Sequence, residues 1–153
     1  MSNIQKAYED VTKFNHMAGN LGKVGMNSIE AQLSFITEEL DETWKALEEG
    51  NNVELLDGAC DLFVTVAGLL QKLDRMGYDI GKALALVNEN NLSKFPLVSD
   101  YPVDDVGAIT PKDVRTEIRY SRWVFKRISN GKVMKPTNFK AVDISACVPL
   151  KGI

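Results

Sequence analysis

Nine carboxylates crowd residues 38–61: Glu38, Glu39, Asp41, Glu42, Glu48, Glu49, Glu54, Asp57 and Asp61. A helix turns by about 100° per residue, so side chains three or four apart share a face. Glu38, Glu39 and Glu42 therefore make one compact patch. Asp57 and Asp61 share a face further on, and Glu54 extends it one turn earlier. Asp61 follows Cys60 and precedes Leu62, Phe63 and Val64, so a fully wet position does not suit it. An unpaired carboxylate costs several kcal/mol to bury, and an inward one needs a cation, a basic partner or a raised pKa. The turn at Gly50 is short and makes the two flanking helices antiparallel. Glu39 lies eleven positions before Gly50 and Asp61 eleven after; Glu42 lies eight before and Asp57 seven after. The two patches then stand at matching heights, where like charges repel. A hard divalent cation with oxygen ligands is the natural remedy, magnesium first. Against this stands the ordinary solvated helix face, which suits Asp41, Glu48 and Glu49; Glu38 fits either reading.

Four helices must position these groups. "NIQKAYEDVTKFNHMAG" carries Ile4, Ala7, Tyr8, Val11 and Phe14 at helical spacing, and Gly19, Gly22 and Gly25 break it. "NSIEAQLSFITEELDETWKALEEG" has an apolar stripe of Ile29, Leu33, Ile36, Leu40, Trp44 (or Thr43) and Leu47, with Asn27 or Ser28 as cap and Gly50 as stop. "NNVELLDGACDLFVTVAGLLQKLDRMG" is apolar around much of its circumference and stops at Gly77, which suits the centre of a bundle, and Cys60 reads as a small core residue. "DIGKALALVNENNLSKF" follows, capped by Asp79 and ended by Pro96. The texture changes after Pro96. "TPKDVRTEIRYSRWVFKRIS" reads as a further helix, with Thr110 as cap and Pro111 at its first position, packing through Ile118, Trp123 (or Arg122) and Phe125. Asn130-Gly131 signals a turn before short β-like pieces. The expected fold is all-α: a four-helix-bundle-like core over 1–96, with a C-terminal helix and irregular segment over 97–153 packed on the core or on a partner subunit.

Composition narrows the function. With 153 residues, 44% of them hydrophobic and 25% charged, the chain suits one soluble globular domain. A net charge of -3 argues against a broad nucleic-acid surface, despite Arg115, Arg119, Arg122, Lys126 and Arg127 with aromatics between them. Two cysteines make neither a disulfide framework nor a zinc pattern. The apolar run 62–70 is too short to span a bilayer, and 1–14 is amphipathic rather than a signal peptide. A cytoplasmic protein without membrane contact is expected.

"EELDE" over 38–42 resembles the Glu-Glu-x-x-Glu signature of the all-α nucleoside triphosphate pyrophosphohydrolases, the superfamily of MazG proteins, dimeric dUTPases and phosphoribosyl-ATP pyrophosphohydrolases. "ELLD" over 54–57 fits the family's Glu-x-x-Asp, while "DGACDLFVTVAG" is similar to its Asp-x-x-x-Asp-Leu-hydrophobic run, with Asp61 as the matched ligand. In that second register the partner glutamate position is Gly58. "VNENNLSKF" looks like the family's Asn-x-x-Lys element, and "NGKVMKPTNFKAVDI" resembles the tail of some MazG-like members.

The resemblance implies cleavage of a (d)NTP between its α and β phosphates, giving monophosphate and pyrophosphate. It implies Mg²⁺, replaceable by Mn²⁺, held by Glu39, Glu42, Asp57 and Asp61, with Glu38 as general base or orienter of the attacking water. Asn91 and Lys94 would contact nucleotide and phosphates, with Asn88 on the same face. Secondary candidates are Glu54 as a ligand, Asn15 and His16 at the base, and Lys132 and Lys135 at a phosphate. So small a bundle with a polar site between helices needs further apolar cover, so a homodimer or homotetramer is expected. The alternatives are a phosphoribosyl-ATP pyrophosphohydrolase-like enzyme, a non-catalytic nucleotide-binding helical regulator, and, from another class, a nucleic-acid-binding protein using 115–127.

Overall fold

The computed structural model describes residues 3–149. Its helices are α1 (Asn3–Met17), α2 (Met26–Glu49), α3 (Asn52–Arg75) and α4 (Ile80–Leu92). Three strands follow: β1 (Val114–Arg119), β2 (Arg122–Arg127) and β3 (Val133–Met134), in one antiparallel sheet of order β1-β2-β3. Two compact units result. The chain up to Ile80, with Cys147 onward, forms one, and Gly81–Ala146 forms the other, so α4 groups with the sheet. That partition differs from a division at residue 96.

The helical unit ends its elements where its glycines allow. Gly50 closes α2 at φ 67°, and its N–H reaches the carbonyls of Ala46 and Leu47. This is the left-handed position where a side chain is disfavoured. Asn51 then caps α3, its side-chain oxygen accepting from the Glu54 N–H at 3.3 Å. Helix α2 begins earlier than Asn27, at Met26; Ser28 is its third residue, and its hydroxyl accepts from the Gly25 N–H.

The faces differ from expectation. Only Ile29 of the α2 apolar stripe is buried; Leu33, Leu40, Trp44 and Leu47 are 44–57% exposed. The seam between α2 and α3 is instead built from small and polar groups. Gln32 donates from Nε2 to the Thr65 carbonyl at 2.9 Å and accepts from Lys72 Nζ at 2.7 Å. Lys72 also donates to the Ser28 carbonyl at 3.3 Å. Burial pushes its ammonium below the usual lysine range, and both of these partners are neutral oxygens. On the other side of α3, Gln71 accepts from Asn15 Nδ2 and donates to Thr12 Oγ1, both at 3.0 Å. Cys60 is exposed rather than in the core.

The second unit overturns the all-α expectation. Residues 114–127 form a β-hairpin, not a helix. Val114, Thr116, Ile118, Trp123, Val124 and Phe125 are β-branched or aromatic, and their strand preference outweighs a helix-like spacing of apolar positions. The reversal lies at Tyr120 and Ser121, with φ 50° and 58°, between the paired Arg119 and Arg122. Two successive left-handed residues match the twist of a hairpin, but Tyr-Ser lacks the glycine or asparagine that announces such a turn. Thr110 does not cap a helix either: its hydroxyl donates back to the Val106 carbonyl at 2.8 Å. The Asn130-Gly131 turn does form, with Gly131 at φ 70°, and leads into β3. Trp123 and Phe125 pack with Ile109, surrounded by Val98, Tyr101, Val106, Val114 and Met134. Ile118, expected to pack, is half exposed.

The basic stripe is dispersed by this pairing. Glu117 takes Lys126 at 2.6 Å and Arg119 at 2.9 Å, while Arg122 Nη1 donates to the Phe95 carbonyl at 2.8 Å. Hydrogen bonds from Lys126 and then Arg119 pull the Glu117 carboxyl down to about 2. A depressed carboxyl adds stability above its ordinary value and loses it as pH falls toward the folded value. The hairpin should therefore weaken between about pH 4.5 and 2, and an NMR titration of the Glu117 side-chain carbonyl should show a midpoint near the lower end. A midpoint at the ordinary glutamate value would mean that the ion pairs do not form in solution.

Candidate metal centre

Helices α2 and α3 run antiparallel, and three contacts fix their register. Gln32 stands level with Thr65, and a Cβ added to Gly68 would lie 3.1 Å from the Gln32 amide. A Cβ added to Gly58 would overlap Thr43 Oγ1 and come within 3.3 Å of the Thr43 Cα. With 32 opposite 65–68 and 43 opposite 58, Glu39 stands level with Asp61 and Glu42 with Asp57. The charges agree. Burial first, then repulsion from Asp61, Glu42, Glu38 and Asp57, pushes the Glu39 carboxyl above its usual range. The other four carboxylates therefore lie close enough to repel Glu39. Glu39 and Asp61 are half-buried, while Glu38, Glu42 and Asp57 are exposed.

Two threonines bond back onto the backbone at the level of the acids. Thr43 Oγ1 donates to the Glu39 carbonyl at 2.7 Å, and Thr65 Oγ1 donates to the Asp61 carbonyl at 2.9 Å. In each helix the threonine one turn after the acid bonds back onto that acid's own peptide. Sequence reasoning weighed Thr43 only as a member of the apolar stripe, passed over Thr65, and treated Gly58 only as a missing glutamate. The packing gives Gly58 a positive reason: any side chain there would push α3 off α2.

The donor set suits a hard cation, being carboxylate oxygen throughout. Among the described residues, no three or more His, Cys, Asp or Glu side chains are grouped as they would be around an ion. The five acids thus influence one another along the seam without being grouped around a common point. Glu54 is separate: it is exposed in the first turn of α3 and is not one of the charges that shift Glu39.

The other candidates are placed as follows. Asn15 is buried, with Nδ2 on Gln71 and Oδ1 accepting from Asn20, so its amide is already engaged. His16 is exposed, its Nε2 3.4 Å from Arg75 Nη2. In the second unit, Lys94 Nζ donates to Asn91 Oδ1 at 2.7 Å, which brings the Asn-x-x-Lys pair together. Asn88 lies exposed one turn before Asn91. Lys135 Nζ stands 4.7 Å from the centre of the Phe139 ring, and Lys132 is exposed beyond the Asn130-Gly131 turn.

No helix among the described residues is long and apolar enough to cross a membrane. No family model matches the chain, and neither a curated protein nor a solved structure does.

Proposed function

We propose that the chain is a Mg²⁺-dependent nucleotide pyrophosphohydrolase that cleaves a (d)NTP to its monophosphate and pyrophosphate. The observation carrying this reading is the convergence of five carboxylates on the α2–α3 seam, with Glu39 lifted above its usual range by burial and by the other four. The register set by the close helix approach at Gly58 supports the reading, since it puts Glu39 level with Asp61 and Glu42 with Asp57. Glu39, Glu42, Asp57 and Asp61 would hold the cation, which supplies the positive charge that phosphate oxygens need. Glu38, next to these ligands and exposed, is free to accept a proton from the attacking water. In the second unit, Lys94, hydrogen-bonded to Asn91, would offer its ammonium to phosphate oxygens.

Product analysis tests the reading. The protein is incubated with each common NTP and dNTP plus Mg²⁺ or Mn²⁺, and products are separated by ion exchange. Monophosphate with pyrophosphate is expected. Phosphoribosyl-ATP belongs in the panel as the alternative substrate. No turnover of any of them would leave the nucleotide-binding regulator as the better reading.

The exposed face of α2 supports self-association. Leu40, Trp44, Leu47 and, from α3, Leu55 line an apolar groove with a volume of about 250 Å³. A face of this kind is characteristic of interfaces. Light scattering on an eluting peak should give at least twice the 17.0 kDa chain mass. Trp44→Glu should lower that mass. A monomeric wild-type peak would refute the dimer.

A further inference from the structure

Beside the Asn91–Lys94 pair, the second unit holds a cavity of about 300 Å³ for which the expected roles make no use. That is the lower end of the size range of small-ligand sites. Helix α4 and the turn after it supply Asn90 and Ser93, and the chain beyond supplies Tyr101, Asn138, Phe139 and Lys140. The walls are tied to one another. Asn90 Nδ2 donates to the Lys140 carbonyl at 2.7 Å, and Asn138 Nδ2 donates to the Tyr101 hydroxyl at 2.8 Å. Ser93 Oγ donates to the Asn90 carbonyl at 2.8 Å. The Lys135 ammonium sits over one face of Phe139 and steadies the ring.

This arrangement has two aromatic rings, two amides whose oxygens make no hydrogen bond among the described residues, and a phenol proton left to donate. Flat walls and edge-directed polar groups suit a planar heteroaromatic ring carrying its own donors and acceptors. Asn91 and Lys94 each follow a cavity residue, Asn90 and Ser93, by one position, about 100° further round the helix, so the polar-aromatic cavity and the amide–ammonium pair occupy neighbouring faces at the end of α4. We propose that this cavity receives the base of a nucleotide whose phosphates Asn91 and Lys94 hold. The inference rests on the phosphate role given to that pair above and adds to it where the base would be read, a point that the sequence motifs leave unmarked.

Calorimetric titration of the full chain with nucleoside monophosphates, in EDTA, tests it apart from catalysis. At least one monophosphate should bind in the millimolar range or tighter. Phe139→Ala and Asn138→Ala should each weaken its Kd about tenfold, through the loss of stacking or of a hydrogen bond. Asn138 is exposed and its replacement leaves the core intact. Unaltered affinity in both cavity variants, or no binding by the wild-type chain, overturns the proposal. Turnover with unaltered Kd sinks the cavity but not the hydrolase. Binding that the variants lose, without turnover, does the reverse.

Discussion

Replacing Glu39 by glutamine should abolish Mg²⁺-dependent nucleotide cleavage and at the same time make the metal-free protein more stable. The two effects have opposite signs for one reason. Glu39 is half-buried and faces Asp61, Glu42, Glu38 and Asp57, so its charge costs the folded state. A carboxyl whose folded pKa is raised binds its proton more tightly when folded than when unfolded. Stability therefore falls as pH rises from the ordinary value of 4.5 through the raised one, and the loss persists above it. The neutral amide of Glu39→Gln removes that loss. In EDTA at neutral pH the variant's Tm should exceed the wild-type value by a few degrees, and the difference should vanish near pH 4. Adding Mg²⁺ should raise the wild-type Tm through binding to the folded state, and raise that of the variant much less. Turnover should drop by more than about a hundredfold, because even groups that only orient a ligand typically cost 10–100-fold. Asp61→Asn should likewise lose turnover. A variant that loses stability without magnesium, or keeps full activity, would show that Glu39 is an ordinary helix-face acid.

The second large effect is expected at Gly58. In a helix interior, Gly to Ala normally gains about 1 kcal/mol. Here the new Cβ would overlap Thr43 Oγ1 and press to 3.3 Å from the Thr43 Cα and Cβ. Backbone cannot give way cheaply, and overpacking of this kind costs about 1–3 kcal/mol. Gly58→Ala should therefore be net destabilising, and Gly58→Val more so. Thr43→Ala removes the overlapping hydroxyl and should restore part of the loss in the double variant, a coupling that a double-mutant cycle in urea measures. Because Gly58 sets the spacing that puts Glu39 level with Asp61, the single variant should also need more Mg²⁺ for half-maximal activity. Stabilisation by Gly58→Ala would mean that α2 and α3 do not approach this closely.

The sequence by itself determined the local and periodic features. Gly50, Gly77 and Asn130-Gly131 announce their own breaks, since a left-handed residue or a tight turn needs a particular residue type at that one position. The short link at Gly50 fixed the antiparallel order of α2 and α3. Counting outward from it placed Glu39 level with Asp61 and Glu42 level with Asp57, because a helix has a constant rise per residue. Tertiary structure decided what no local rule encodes. The hairpin over 114–127 depends on pairing between strands and on burying Trp123 and Phe125 with Ile109, and its Tyr120–Ser121 turn is tolerated only because those contacts hold it. The same holds for the α2–α3 seam. Periodicity marks Leu33, Leu40, Trp44 and Leu47 as an apolar face, but it does not say which neighbour covers it. The chain packs α3 instead against Gln32, Thr43 and Ala46, where small side chains and a glycine let the backbones come close. Lys72, deep in a largely apolar helix, is tolerated there because Gln32 and the Ser28 carbonyl, some forty residues away in the chain, satisfy its ammonium. Partners that far apart are set by the fold, not by spacing.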